Sequence, residues 1–247
     1  MNIQNYLEEK KQLHKKLLEF LENESNVEEY FQNLVGLIHD QKIHENREEL
    51  KAVLRLVIKI ANNHKRTSDF FDKIEQFINI FKENIKQTFS NYEIFDIIKS
   101  NKRIILYFIE EKLMVPDESI SHKLMPENLT FSNMKYIRSL YPFYFFNEFK
   151  IKIQQKFPNE EHEVYSKMNL ELFEKKRKIG ENDSLICELI RNDLIEEFIS
   201  YVNKTNFSLS STIESSIFET NSFLLKNEPT LIEYSAFFGS TQIFKYL

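Results

Sequence analysis

The chain is poor in the residues that tight turns and disulfides require, with 3 Gly, 5 Pro and 1 Cys among 247 residues. It also contains no Trp. Few Gly and Pro residues mean few tight turns, which argues against an all-β sandwich or barrel and favours helices. The single cysteine, Cys187, cannot form an intramolecular disulfide, so we expect an intracellular location, cytoplasmic rather than nuclear. Cys187 itself is either a small buried hydrophobe or a reactive thiol.

Known catalytic motifs are also missing. The sequence has no P-loop, no G-x-G-x-x-G, no G-x-S-x-G and no H-E-x-x-H, and it has no cysteine pair for zinc. His39 and His44 lie near Asp40 and Glu45, but the local pattern offers no third metal ligand, so a polar interhelical loop is the alternative to a metal site. We therefore predict no enzyme activity, with no catalytic, cofactor-binding or metal-ligating residues.

Charge and hydropathy narrow the range of partners. No apolar run approaches the roughly 18 residues that a membrane helix needs, and the charged N-terminal segment lacks a secretory signal. The net charge of −5 argues against nucleic acid, whose binders usually carry a basic face. We predict neither a membrane nor a nucleic-acid partner. The basic run Lys175–Lys178 is either a solvated helix face or a short nuclear signal.

Apolar residues at helical spacing recur along most of the chain. They predict helices over Asn5–Asn23, Val27–His39, Glu48–Asn62 and Ser68–Lys86, the last with Ser68 as its N-cap. The predicted fold is all-α. It comprises a helical N-terminal domain over residues 1–165, a charged connector over 166–182 that is helical up to Ile179, and helix–turn–helix repeats over 183–247.

A dense aromatic block, Tyr141–Phe149, reads YPFYFFNEF. Two interpretations are open. The rings pack between helices as part of the core, or they lie on the surface as a binding patch. The first is favoured, because a surface cluster of this density is unusual in a soluble protein.

The final segment, Thr230–Leu247, fits the ankyrin-repeat pattern T-P-L-H-x-A-A-x-x-G followed by a second helix. The consensus Thr, Leu, second Ala and Gly places are taken by Thr230, Ile232, Ala236 and Gly239. The Pro, His and first Ala places hold other residues, which degrades the hydrogen-bonding corner of the motif: they are Leu231, Glu233 and Ser235. The alternative is an ordinary amphipathic helical hairpin.

Each motif residue has an expected physical role. Ala236 is small where two helices pack closely, and Gly239 can adopt positive φ to end a helix. The apolar face of the second helix is formed by Ile243, Phe244 and Leu247. Without a following repeat, we expect this last helix to be frayed or partly exposed.

Two earlier units, within Tyr92–Lys112 and Asp183–Val202, share the layout of a short helix, a two-residue turn and a longer helix. Asn192 and Asp193 form the turn of the second of them, since both residue types tolerate left-handed backbone. Asn192 and Gly239 are 47 positions apart, against an ankyrin period of about 33 residues. The excess lies in Asn203–Glu228, where a short helix is predicted near Ser215–Phe223.

The residues 180–206 and 215–247 resemble a large protist family of ankyrin-repeat proteins, best known from trichomonads, whose repeats belong to a domain of unknown function. The segment IFDIIKSNKRIILYFIEEKLM at 94–114 and the YPFYFFNEF block at 141–149 are also similar to that family. The resemblance implies an all-helical N-terminal segment, further repeats after Leu247 and no catalytic residues.

The function predicted from these features is non-enzymatic binding of an unidentified protein partner, because stacked repeats present an extended surface whose contact residues vary freely. The alternative is a helical adaptor or regulatory module that binds through its N-terminal domain, with the repeats as a spacer.

Overall fold

The computed structural model describes residues 3–124, 141–156 and 169–247, and most of these residues are α-helical. The described part contains no β-strand, only an isolated antiparallel bridge between Thr212 and Thr230. The all-α prediction is confirmed. The chain divides into two compact units: unit 1 is Met1–Ser100 with Tyr107–Val115, and unit 2 is Asn101–Leu106 with Pro116–Leu247. The predicted boundary between residues 165 and 166 lies outside the described residues.

Unit 1 is built from amphipathic helices whose apolar stripes face one another. The helices are α1 Ile3–Glu22, α2 Val27–Asp40, α3 Arg47–Asn63, α4 Phe70–Asn79, α5 Lys82–Thr88 and α6 Asn91–Ile98, with a 3₁₀ turn at Ile43–Glu45. A further helix, α7 Lys102–Glu110, has its first residues in unit 2 and the remainder in unit 1. Helix α1 packs against α2 and α4, and α3 packs against α4 and α6. The first three predicted helices, over Asn5–Asn23, Val27–His39 and Glu48–Asn62, are confirmed as α1, α2 and α3.

Helix α3 illustrates how the sequence sets these elements. Asn46 caps its N-terminus, because its side-chain oxygen accepts a hydrogen bond from the N–H of Glu48 at 2.9 Å. Its buried stripe repeats at helical spacing and supplies the centre of the unit 1 core, namely Leu50, Val53, Leu54, Val57, Ile58 and Ala61.

The single helix predicted over Ser68–Lys86 is wrong: the segment forms α4 and α5, separated at Ile80 and Phe81. The N–H groups of these two residues bond three residues back, which tightens the chain into a 3₁₀-like turn. Ser68 is not the N-cap. Asp69 stands there, and its carboxylate pairs with the buried Lys73 ammonium at 2.8 Å instead of capping the helix.

Unit 2 continues with short helices. They are α8 Glu118–Leu124, α9 Tyr141–Tyr144, α10 Phe146–Lys156, α11 Leu170–Ile179, α12 Leu185–Arg191, α13 Ile195–Thr205, α14 Ser222–Asn227, α15 Leu231–Phe238 and α16 Thr241–Tyr246. Helix α11 ends at Ile179 as predicted, with Gly180 in the left-handed conformation at its C-cap.

The aromatic block contributes to the core of unit 2. Tyr144, Phe145 and Phe149 are buried, while the side chains of Tyr141 and Phe146 lie outside the described residues. The Tyr144 hydroxyl donates to the carbonyl of Arg177 at 2.8 Å. Phe143 is half-buried. The core interpretation therefore holds for Tyr144, Phe145 and Phe149.

The basic run Lys175–Lys178 is not uniformly solvated. Arg177 is buried, and its guanidinium pairs with the carboxylates of Glu148 and Glu174 at 2.7 Å each. Neither interpretation of the run anticipated this, because a run of four cations gives no sign of which one faces inward.

The short helix predicted near Ser215–Phe223 is also wrong, since the helix there is α14, from Ser222 to Asn227. The residues before it are held in irregular backbone by side-chain hydrogen bonds. The Asn182 amide donates to the Glu214 carbonyl at 2.8 Å, and the Thr220 hydroxyl donates to the Gly180 carbonyl at 2.7 Å. Such bonds compete with helix formation in Ser-, Thr- and Asn-rich segments.

Candidate interaction surface

Helices α12 and α13 form one helical hairpin, hairpin 2, and α15 and α16 form another, hairpin 3. The first helix of one packs on the first helix of the other, and the second packs on the second. Their inner faces share one apolar cluster, which includes Ile190, Phe198, Leu231 and Ile243. The two hairpins are therefore stacked in parallel.

The hairpins are equivalent residue by residue. Ser184 and Thr230 hold the N-cap positions of the two first helices and are 46 positions apart. Asp193 and Gly239, also 46 apart, adopt left-handed backbone at the two turns, with φ of 51° and 67°. The predicted alignment of Asn192 with Gly239 is wrong by one residue. Asn192 has a φ of −91°, and Asp193 is the residue in the left-handed conformation that matches Gly239.

The third predicted unit, hairpin 1, comprises α6 and α7 and has the helix–turn–helix layout expected. Its turn differs from the other two. None of its turn residues, Lys99, Ser100 and Asn101, has positive φ. Asn101 instead caps α7 by accepting from the N–H of Ile104 at 3.1 Å.

Thr230 begins α15 through a capping box with Glu233. The Thr230 hydroxyl accepts from the Glu233 N–H at 3.3 Å, and the Glu233 carboxylate accepts from the Thr230 N–H at 2.8 Å. The backbone and hydroxyl bonds from Thr230 hold the pKa of the Glu233 carboxyl below its usual range. Glu233, at the histidine place of the predicted pattern, thus joins Thr230 in closing the first turn of α15 with hydrogen bonds.

The turns of hairpins 2 and 3 are tied directly together. The Asp193 carboxylate accepts from the N–H groups of Gln242 at 3.1 Å and Ile243 at 3.0 Å, at the start of α16. The Ser240 hydroxyl donates to the carbonyl of Ile190. Partial burial opposes ionisation of Asp193, but the bonds from Ile243 and Gln242 outweigh it and lower its carboxyl pKa.

The remaining predicted repeat residues divide into two groups. Ile243 is buried between the hairpins as expected, whereas Ile232, Ala236 and Phe244 are exposed. The predicted role of Ala236 at a close helix contact is therefore wrong, and the neighbouring Ser235 occupies that buried position. Helix α15 turns the side of Leu231 and Ser235 towards hairpin 2, so residues one position later face away.

A buried polar group joins α12 to α15. The Arg191 guanidinium pairs with Glu181 at 2.6 Å and donates to the Tyr234 hydroxyl at 2.9 Å. Burial raises the pKa of the Tyr234 phenol. Burial likewise raises the pKa of the Cys187 thiol, against opposing hydrogen bonds with Ser184 and Tyr234. Cys187 is therefore a buried hydrophobe with little thiolate character, as the first interpretation proposed.

A groove of about 520 Å³ opens beside hairpin 2, within the range of small binding clefts. Its aromatic wall is formed by Tyr201 and Phe207, whose ring centroids lie 6.0 Å apart. Hydroxyl groups and one carboxylate complete the lining, which consists of Ser184, Ile186, Tyr201, Phe207, Ser211, Thr212, Ile213 and Glu214. The segment from 207 to 214 is held across the groove by a bond from the Ile213 N–H to the Pro229 carbonyl at 2.7 Å.

Unit 1 has a second groove, of about 350 Å³, between α1 and α3. Its floor is apolar, with Leu13, Val53 and Leu56 among the lining residues, and Leu7 is exposed beside it. The lining also contains Lys10 and Lys11, whose ammonium groups already pair with the carboxylates of Glu49 and Glu8. The groove therefore suits an apolar segment.

Lys102 is a buried cation that sequence reasoning missed. Its ammonium donates to the Ile217 carbonyl at 2.9 Å and lies 5.3 Å from the centre of the Tyr144 ring. Burial lowers the pKa of Lys102 to about 7, while the nearby Glu219 carboxylate acts in the opposite direction. Its position between a polar turn and the apolar run of α7 gave no sign of burial.

Three observations bear on the predictions of no metal site, no membrane partner and a family resemblance. Within residues 3–124, 141–156 and 169–247, no three His, Cys, Asp or Glu side chains converge as a metal site would require. None of the described helices combines the length and apolar character required to cross a bilayer. No family model, curated protein or solved structure matches this chain. The resemblance to protist ankyrin-repeat proteins therefore stays a prediction.

Proposed function

We propose that this chain is a non-enzymatic protein-interaction scaffold whose hairpins 2 and 3 are eroded ankyrin-type repeats. The observation that carries the proposal is the parallel stacking of two hairpins with a 46-residue equivalence and a groove beside them. Stacked repeats of this kind hold their shape through a shared core, which leaves loop and surface residues free to contact a partner.

The groove beside hairpin 2 is the surface best suited to a protein segment. Tyr201 and Phe207 offer aromatic area, and the hydroxyls of Ser184, Ser211 and Thr212 offer hydrogen bonds to a main chain. The most strongly shifted ionisable groups in unit 2 serve the fold instead, since Lys102 and Tyr234 are buried and hydrogen-bonded to other parts of it. This distribution supports binding in preference to acid–base catalysis.

The second candidate is an adaptor that binds through unit 1. The apolar groove between α1 and α3 favours it, because its floor of Leu13, Val53 and Leu56 suits the apolar face of an amphipathic helix. The two candidates place the binding surface in different parts of the chain, so substitutions in one groove separate them.

The test uses the full-length chain as bait in extracts of the source cells, with quantitative mass spectrometry of the captured proteins. One variant carries Thr212→Arg and Glu214→Lys, which change the charge and shape of the hairpin 2 groove at exposed positions. The matched variant carries Leu7→Glu and His14→Glu in the unit 1 groove, also at exposed positions.

The scaffold proposal expects capture of a defined partner to fall with the first variant and to persist with the second. Circular dichroism must show that both variants retain their helix content and melting temperature. The opposite pattern, with loss only in the Leu7 and His14 variant, would assign binding to unit 1 and overturn the first proposal.

A further inference from the structure

Hairpin 3 exposes positions that are buried in hairpin 2. Ile186 is 5 % exposed, whereas its equivalent Ile232 is 42 % exposed. Phe198 is 0 % exposed, whereas its equivalent Phe244 is 45 % exposed. Each pair is separated by the same 46 positions that relate the two turns.

In hairpin 2 this face is covered by hairpin 3. The Tyr246 ring packs edge-on against Phe198 at 6.0 Å, and the Ser240 hydroxyl donates to the Ile190 carbonyl. Ile190 is buried, and its equivalent in hairpin 3, Ala236, is exposed. The same face of hairpin 3 therefore lies open to solvent in the described part of the chain.

The two ends of the stack differ in polarity. On the outer side of hairpin 2, Glu188 and Asn192 are exposed, whereas their equivalents Tyr234 and Phe238 are buried against hairpin 2. Leu185 and Leu194 are the large apolar exceptions on that side. Terminal repeats need a polar outer face. The outer face of hairpin 2 is largely polar, whereas the outer face of hairpin 3 is apolar.

We infer that the face of hairpin 3 formed by Ile232, Ala236 and Phe244 docks a partner helical hairpin of the same build, stacked in the same direction. The occupant is argued from the continuity of this face with the interface that hairpin 2 already makes. The inference depends on the stacking geometry and not on binding in the groove proposed above.

One part of the existing interface is not repeated. The Asp193 carboxylate caps α16 across the interface, but its equivalent in hairpin 3 is Gly239, which has no side chain to do so. The partner hairpin must therefore dock chiefly through apolar contact and backbone hydrogen bonds. Gly239→Asp adds the missing carboxylate at a backbone conformation that Asp193 shows to be accessible.

The test appends a second copy of Val202–Leu247 directly after Leu247 of the full chain, which reproduces the 46-residue spacing. The control is the same protein with Ile232→Asp and Phe244→Asp in the first copy only. We expect amide hydrogen exchange in the appended hairpin to be slower than in the control by about tenfold or more. Gly239→Asp in the first copy should slow it further.

A second blocking variant, Ala236→Arg in the first copy, obstructs docking by size at an exposed position and should also restore fast exchange. Equal exchange of the appended hairpin in all of these proteins would overturn the inference. So would sedimentation of the unextended chain as a dimer that Ile232→Asp and Phe244→Asp dissociate, because the face would then belong to a second copy.

Discussion

The Asp193 carboxylate accepts a hydrogen bond from the Ile243 N–H at 3.0 Å, although 50 residues separate them along the chain. The bond joins the turn of hairpin 2 to the start of the second helix of hairpin 3. It fixes the register of the stack at a point where a shift of one residue would move the apolar residues of α16 out of the shared core.

Asp193→Gly should lower the free energy of unfolding by about 1 kcal/mol, the usual cost of losing a helix cap. Glycine keeps the left-handed turn available, so the loss measures the cap and not backbone strain. Because the folded-state pKa of Asp193 is lowered, the carboxylate stabilises the fold above its unfolded value of 3.8 and ceases to do so as the pH falls through the folded value.

Urea denaturation at neutral pH and in acid checks this prediction. Asp193→Asn serves as the control, since it retains a side-chain oxygen and tolerance of positive φ while losing the charge. A difference between wild type and Asp193→Gly that persists unchanged in acid strong enough to protonate the folded-state carboxyl would contradict it.

Ser235→Leu should destabilise the chain by roughly 1–3 kcal/mol, because Ser235 is fully buried where α15 faces hairpin 2. Ala236→Leu, one position later and exposed, should change stability by no more than about 0.5 kcal/mol. Thermal melts of the two variants make the comparison. Greater destabilisation by Ala236→Leu would restore the consensus assignment of these positions.

The pair Ser235 and Ala236 shows where sequence reasoning succeeded and where it failed. The motif located the helix start at Thr230, the turn at Gly239 and the buried Ile243. It did not determine which face of α15 meets hairpin 2, because adjacent small residues satisfy the same pattern. Only the packing partner decides that face.

Helices with strong apolar periodicity were predictable because burial of one face dominates their energetics. The break at Ile80, the buried Arg177 and the non-helical segment before Ser222 were not. The last two depend on side chains that meet partners far along the chain, such as Arg177 with Glu148, and local sequence does not encode such partners.

Arg177→Met should destabilise the protein by about 3–5 kcal/mol, because it leaves the partly buried Glu148 and Glu174 without their cation. Lys175→Met, in the same basic run but exposed, is the matched control and should change stability by no more than about 0.5 kcal/mol. Urea denaturation of both variants tests the contrast. Similar small effects of the two substitutions would mean that the whole run is solvated.

Lys102 should make the stability of the chain rise with pH above neutrality. Its pKa is about 7 in the folded chain and 10.5 as an ordinary lysine, so between these values the unfolded chain binds the additional proton. Relative to Lys102→Met, the wild type should gain up to roughly 1.4 kcal/mol per pH unit in this window. Urea denaturation of both proteins from pH 6.5 to 10 measures the gain, and parallel curves would contradict it.

Site-specific photo-crosslinking in the source cells tests the central claim most directly. A benzophenone amino acid is placed at Thr212 in the hairpin 2 groove, at Leu7 in the unit 1 groove, or at Glu197 on the exposed side of α13. The account predicts a discrete adduct with another protein from position 212, lost with Glu214→Lys, and none from 7 or 197. An adduct from position 7 with none from 212 would contradict it.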